Sequence, residues 1–283
     1  MKTRIISGFI MAPLLVVLYF GGIWLWLAAF AIAVMGVNEF CKGWNNIDVH
    51  PSLSTCYAMT AVLFMPIGIS IIEQTTPSPN NNVINNYPAI ISAWLFVAVI
   101  ASMIYGWKIN ERGPYDSATT LTTLVYIPFF TLHMVLIDMT QYRMFIWIVV
   151  IAAFGQDICA YFTGYFLGKH KMAPNLSPKK TIEGAIGGLL GSSLLSMAFG
   201  LIFMKNSGLN NIGLICFVLG LVGGAAGMAG DLTASMFKRK MGIKDYGTLI
   251  PGHGGIMDRF DSVIFVAPVI YYALKVMTGS FGS

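Results

Sequence analysis

Nine apolar runs, at about 5–20, 22–38, 56–73, 88–107, 117–138, 143–167, 182–204, 211–236 and 257–278, fill most of this 283-residue chain. A helix needs about 20 apolar residues to cross the hydrocarbon core of a bilayer, and a spanning segment must satisfy its own backbone. The runs therefore predict an all-α polytopic membrane protein with about nine transmembrane helices. Composition points the same way. Only 10% of residues are charged and the mean hydropathy is +0.72, whereas soluble domains carry about 25% charged residues. That excludes an ordinary soluble enzyme, a disordered chain and a coiled coil. The first run follows Lys2 and Arg4 and so resembles a signal peptide, but it continues past Phe20 into further spans. It is read as an uncleaved first helix. Gly21 and Gly22 divide the first two runs, making either a tight hairpin or one long bent element.

Nine spans place the termini on opposite sides. With the N-terminus in the cytoplasm, fourteen of the 17 Lys and Arg residues fall in cytoplasmic segments, and only Arg143, Lys205 and Lys275 fall outside. This follows the positive-inside rule. The net charge of +5 then reflects orientation and anionic ligands, and no nucleic-acid partner is implied. The loop at 74–87 has no basic residue, as an external loop should, and is assigned no chemistry. Cys41, Cys56, Cys159 and Cys216 form no CxxC pair; they suit small core positions better than a disulfide framework or a zinc site.

The chain divides by character into residues 1–140, N-terminal membrane helices, and 141–283, catalytic membrane helices with cytoplasmic loops. Residues 150–262 hold ten of the basic and six of the acidic residues. An acid in or at the edge of a membrane helix is costly and marks a candidate site, which singles out Asp157, Asp231, Asp258 and Asp261. Glu39, after the second span, is read as an interface residue rather than a catalytic one.

The segment from Ser235 to Asp261 reads as a helix end, a basic glycine-rich loop and a helix start. Asp231, Ser235 and Lys238/Arg239 share one helix face at i, i+4 and i+7/i+8. Asp258 and Asp261 share the next at i, i+3. Carboxylates such as Asp231 and Asp258 suit Mg²⁺, a hard ion that takes oxygen ligands and shares them with phosphate. The loop residues Pro251, Gly252, His253, Gly254 and Gly255 let the backbone approach a ligand and lead into a helix N-terminus that favours anions. Lys238, Arg239, Lys240, Lys244 and Arg259 supply counter-charge. Such a set suits phosphoryl or nucleotidyl transfer, in which positioning and charge neutralisation do most of the catalysis.

A second segment holds Asp157 and Tyr161 one turn apart, Gly164 and Gly168 in a small-xxx-small spacing that brings helices close, and the Ser177-Pro178-Lys179-Lys180-Thr181 turn. That turn is compact, basic and hydroxyl-bearing, which suits a phosphate clamp or a positive-inside loop. Glu183 then sits in a helix first turn, where an acid is favoured by the dipole.

The Ser235–Asp261 run resembles the phosphatidate cytidylyltransferase (CDP-diacylglycerol synthase) family. That pattern runs Ser-x-apolar-Lys-Arg, four residues, Lys-Asp-x-small, then Pro-x-His-Gly-Gly-apolar-x-Asp-Arg-apolar-Asp. Ser235, Lys238, Arg239, Lys244, Asp245, Gly247, Pro251, His253, Gly254, Gly255, Asp258, Arg259 and Asp261 all match it. The upstream Asp-x-x-Ala-Tyr, Gly-Lys-x-x-x-x-Pro and Ser-Pro-Lys-Lys-Thr-x-Glu-Gly elements are similar as well, with Ile158 and Cys159 standing where many members have small polar residues or glycine.

The resemblance implies an enzyme that converts CTP and phosphatidate to CDP-diacylglycerol and pyrophosphate at the cytoplasmic face of a bacterial inner membrane. It implies Mg²⁺ held by Asp231 and Asp258, with a second cation nearby compatible with it, and Asp157 and Asp261 as further ligands or orienters. It assigns Lys238, Arg239, Arg259 and His253 to catalysis on the phosphates. It assigns Ser177, Lys179, Lys180, Thr181, Ser235, Lys244, Gly254 and Gly255 to substrate binding. Members are often dimeric, so a homodimer is the protein partner it allows. A CTP-dependent polyprenol or phytol kinase is the nearest alternative, and the complete Lys-Arg, His-Gly-Gly and Asp-Arg run argues against it. A secondary transporter would show repeated halves and a midplane site, and the halves here are unlike.

Overall fold

The computed structural model describes residues 15–73, 87–249 and 254–278. Eight helices among them are long and apolar enough to cross a membrane. They are α1 (Gly22–Asn45), α2 (Leu53–Glu73), α3 (Tyr87–Tyr105), α4 (Pro114–Asp138), α5 (Arg143–Leu167), α6 (Ile182–Phe203), α7 (Ile212–Lys240) and α8 (Met257–Thr278). Each coincides with one of the last eight apolar runs. The first run lies outside the described residues except for 15–20, which are helical. Gly21 and Gly22 both take positive φ, 63° and 54°, a left-handed break that side-chain-bearing residues resist. Residues 74–86 of the external loop also lie outside the described residues.

Two helices change pitch. A π-helical turn occupies Val125–Phe129 in α4, around Pro128, whose ring lacks an N–H and crowds the preceding turn. A second occupies Ile151–Gly155 in α5, immediately before Gln156 and Asp157. Such turns often mark functional positions.

The chain forms two compact units. One comprises Met1–Val135 with Met241–Asp258, the other Leu136–Lys240 with Arg259–Ser283. In the first, α1 packs on α2, and two tryptophans satisfy their polar tips. The indole N–H of Trp26 donates to the Phe64 carbonyl at 3.0 Å, and that of Trp94 donates to the Met59 carbonyl at 2.8 Å. Asp116 caps α4, accepting the N–H groups of Gly113 and His50, both at 2.6 Å.

In the second unit α6 packs along both α5 and α7. Small residues allow it. A side chain at Gly188 would strike Ala160 and the Gln156 backbone carbonyl at 2.9 Å, and one at Gly220 would strike the Ser192 carbonyl at 2.7 Å. Between apolar helices in lipid, this close backbone approach is the main source of association. The Gly164/Gly168 spacing has the expected use, since Gly164 faces Gly184 of α6. The link between α5 and α6 is a two-stranded antiparallel hairpin, β1 (Lys171–Ala173) and β2 (Ser177–Thr181), with Lys171 opposite Thr181 and Ala173 opposite Ser177. It is the one sheet among the described residues.

Candidate active site

The hairpin ends where α6 begins, and Thr181 makes the junction. Its backbone is extended, and its hydroxyl oxygen accepts the Gly184 N–H at 3.1 Å, which caps the helix. Where the chain enters β1, opposite Thr181, the Glu183 carboxylate accepts the N–H groups of Lys169 at 3.1 Å and His170 at 3.2 Å, and it pairs with His170 Nδ1 at 2.6 Å. Both ties lie at the open end of the hairpin, where β2 meets α6, and they fix the end of the strand from which Lys179 and Lys180 emerge.

They emerge over a cavity of about 590 Å³ within the second unit, whose lining includes Gln156, Asp157, Tyr161, Lys179, Lys180 and Asp231. Ser177 and Thr181 border it too. Lys180 forms an ion pair with Asp231. Asp157, one turn of α5 away from Tyr161, feels both Lys180 and Asp231. Asp261 of α8, only 7% exposed, feels Asp231, Lys238 and Asp157, and its carboxylate accepts the Ser262 N–H at 2.7 Å. Three of the four singled-out aspartates thus share one electrostatic neighbourhood with two lysines. Ser235, Lys238 and Arg239 follow Asp231 along α7, with Ser235 and Lys238 half-buried and Arg239 exposed. The Arg259 Nε is buried with no hydrogen-bond partner among the described residues, a donor suited to an anion.

Gly254, Gly255, Lys244 and Asp258 belong to the first unit. Lys244 is exposed. Asp258 accepts the Tyr246 N–H at 2.7 Å and the Gly255 N–H at 3.0 Å. Gly254 takes φ 83° beside it, a conformation glycine adopts at no steric cost. His253, with Pro251 and Gly252, lies outside the described residues.

Two polar residues escaped the reading of the sequence. Gln156 is 1% exposed, and its Oε1 has no hydrogen-bond partner among the described residues. Glu39 of α1, set aside above as an interface residue, is 9% exposed and accepts the N–H groups of Ile256 at 3.0 Å and Met257 at 2.9 Å. Each was visible as a polar residue within or at the end of an apolar run, but neither belongs to the motif strings.

The donor set fits a hard divalent ion. All the grouped acids offer oxygen, and a cation, the Lys180 ammonium, already stands against Asp231. No three acid, histidine or cysteine side chains converge as a ready cage among the described residues. Mg²⁺ characteristically takes one or two carboxylates and completes its shell with water and substrate phosphate.

Fold and site together define an integral membrane enzyme with acids and cations gathered along one cavity. The chain belongs to the cytidylyltransferase family, whose model matches residues 2–277. It is 32% identical over 270 residues to a phosphatidate cytidylyltransferase of Staphylococcus haemolyticus, covering 95% of each chain. It is 31% identical over 274 residues to one of Staphylococcus saprophyticus, covering 95% of this chain and 97% of that one. With one of Bacillus subtilis it shares 33% identity over 184 residues, 64% of this chain and 67% of the relative. These relatives favour neither the kinase nor the transporter alternative.

Proposed function

We propose that this protein transfers CMP from CTP to phosphatidate, giving CDP-diacylglycerol and pyrophosphate. One observation carries the reading: the likeness to proteins named for this activity extends over 95% of the chain, so it takes in both units. The cavity supports it, because both substrates are anionic and its lining presents lysines to them.

In this reading a phosphate oxygen of phosphatidate attacks the α-phosphorus of CTP. The new P–O bond forms as the bond to the β-phosphate oxygen breaks, and pyrophosphate leaves with that electron pair. The monoester is already ionised, so no general base is required. Lys179 and Lys180, held by the tied hairpin, bind phosphate. Lys238, Arg239 and Arg259 neutralise the charge that builds on the transferring and leaving groups. Ser177, Thr181 and Ser235 donate hydroxyls, and Lys244, His253, Gly254 and Gly255 complete the phosphate contacts by resemblance. Asp231 and Asp258 would hold Mg²⁺, with Asp157 and Asp261 orienting them or receiving a second cation. When bound, the ion supplies Lewis-acid neutralisation of the phosphate oxygens. The bacterial inner membrane, a cytoplasmic site, a cytoplasmic N-terminus and a homodimer belong to the same reading.

The test uses purified protein in detergent with radiolabelled CTP, phosphatidate and Mg²⁺. Label should enter a chloroform-soluble product only when phosphatidate is present, and Asp231→Asn and Asp258→Asn should each slow its formation on the order of 100-fold or more. Phosphorylation of a prenol in place of lipid-linked CMP would hand the assignment to the kinase.

A further inference from the structure

The Glu39 carboxylate makes a connection across the sequence that the family pattern does not contain. It lies on α1 and takes the N–H groups of Ile256 and Met257, 217 and 218 residues away. Asp258 takes those of Gly255 and Tyr246. Two carboxylates therefore hold four backbone amides around the short turn that ends in Asp258. Both groups lie in the first unit, and Glu39 feels the charge of Asp258.

The arrangement is costly. A carboxylate within an apolar helix is expensive, and a second like charge nearby adds to that cost. The charge-assisted amide bonds and the positive end of α8 offset it. If this position needed only packing, an apolar side chain of similar volume would serve at least as well. The neighbourhood is also shaped around the acid: a side chain at Gly247 would meet a Glu39 carboxylate oxygen at 2.7 Å, and one at Gly255 would collide with the same carboxylate. Both glycines belong to or flank the motif, so their identity follows from the presence of Glu39.

We infer that Glu39 is a positioning residue for the reaction: it fixes the 254–258 turn and so sets the direction of the Asp258 and Arg259 side chains. The inference rests on the activity proposed above. Glu39 touches no reacting atom in it, and its effect passes through the backbone of Ile256 and Met257. Small displacements of a positioned group cost large factors in rate, on the order of 100-fold for about 1 Å.

The test compares wild type with Glu39→Gln and Glu39→Leu in detergent by two readouts. One is hydrogen–deuterium exchange of peptides spanning 254–261, with peptides from 182–203 as internal reference. The other is kcat and KM for formation of lipid-linked CMP. We expect exchange at 254–258 to rise about tenfold, because the amides lose their charged acceptor. Exchange in 182–203 should not change, and kcat should fall on the order of 100-fold. Should Glu39→Leu fail to fold, Glu39→Asp, which keeps the charge but shortens the reach, is expected to show both effects at intermediate size. Wild-type exchange at 254–258 in the variants would overturn the inference. So would wild-type kcat in Glu39→Leu, or an exchange increase spread evenly over the protein. If the wild type makes no lipid-linked CMP, the proposed activity fails, and the exchange comparison still decides whether Glu39 holds the turn.

Discussion

Lys180, on the hairpin strand β2, is ion-paired with Asp231 in the last third of α7. The pair joins the two polar segments that the sequence presents separately, and both side chains are about a quarter exposed. Neither charge is at full strength in the pair alone: each is partly neutralised by a partner that substrate can replace. Lys180→Met and Asp231→Asn are each expected to lower kcat by on the order of 100- to 1,000-fold. Because the residues act on one another, the double variant should lose far less than the product of the single losses. Steady-state formation of lipid-linked CMP by the four proteins measures this. Strictly multiplicative losses would show that the two residues act independently.

Gln156 offers a separation of stability from activity. Its buried amide oxygen has no hydrogen-bond partner among the described residues, and leaving such a group unpaired costs about 1–3 kcal/mol. Methionine has nearly the same length and shape. Gln156→Met is therefore expected to hold or raise the thermal midpoint while weakening CTP or phosphatidate binding at the cavity it lines. A lower midpoint together with unchanged KM values would show that the amide serves the fold alone.

The spans were legible because the bilayer demands long apolar helices, and eight of the nine expected runs coincide with helices. Asp157, Asp231 and Asp261 were legible for the related reason that charge inside such a run stands out. Other features were hidden. The Ser177–Thr181 turn is a strand of a hairpin, since a five-residue polar string has no periodicity to separate strand from loop. Nothing local to Glu39 tells that its carboxylate meets Ile256 and Met257; that pairing depends on how α1 and the turn before α8 come together in three dimensions. Gln156 was missed because attention went to the ionised neighbour at 157.

Thr181 tests whether the hairpin must be anchored. Its hydroxyl oxygen caps α6, and loss of such a cap costs about 1 kcal/mol. Thr181→Ser keeps the oxygen and should retain stability and KM for CTP. Thr181→Ala should lose about 1 kcal/mol of stability and raise that KM, because Lys180 is the preceding residue. The two variants differ by one oxygen, so equal KM values would assign the hydroxyl to helix stability only.

Gly184 lets α6, which starts where the same hairpin ends, pack closely on α5. A side chain there would meet the Ala160 carbonyl at 2.8 Å and the Gly164 Cα at 3.2 Å. Backbone atoms of a packed helix cannot move aside as a flexible side chain can, so the two helices must separate. Overpacking of this kind costs about 1–3 kcal/mol. Gly184→Val is thus expected to lower the thermal midpoint and to remove most CMP transfer, because α6 carries Thr181 and Lys180 with it. Gly208 is the control: no atom lies within 4 Å of a side chain there. Its φ of 75° makes alanine cost only about 1–2 kcal/mol of backbone strain. Gly208→Ala should therefore destabilise to a similar degree while CMP transfer by the folded fraction stays at the wild-type level. Equal loss of transfer in both variants would mean that α5–α6 spacing does not set the position of Lys180.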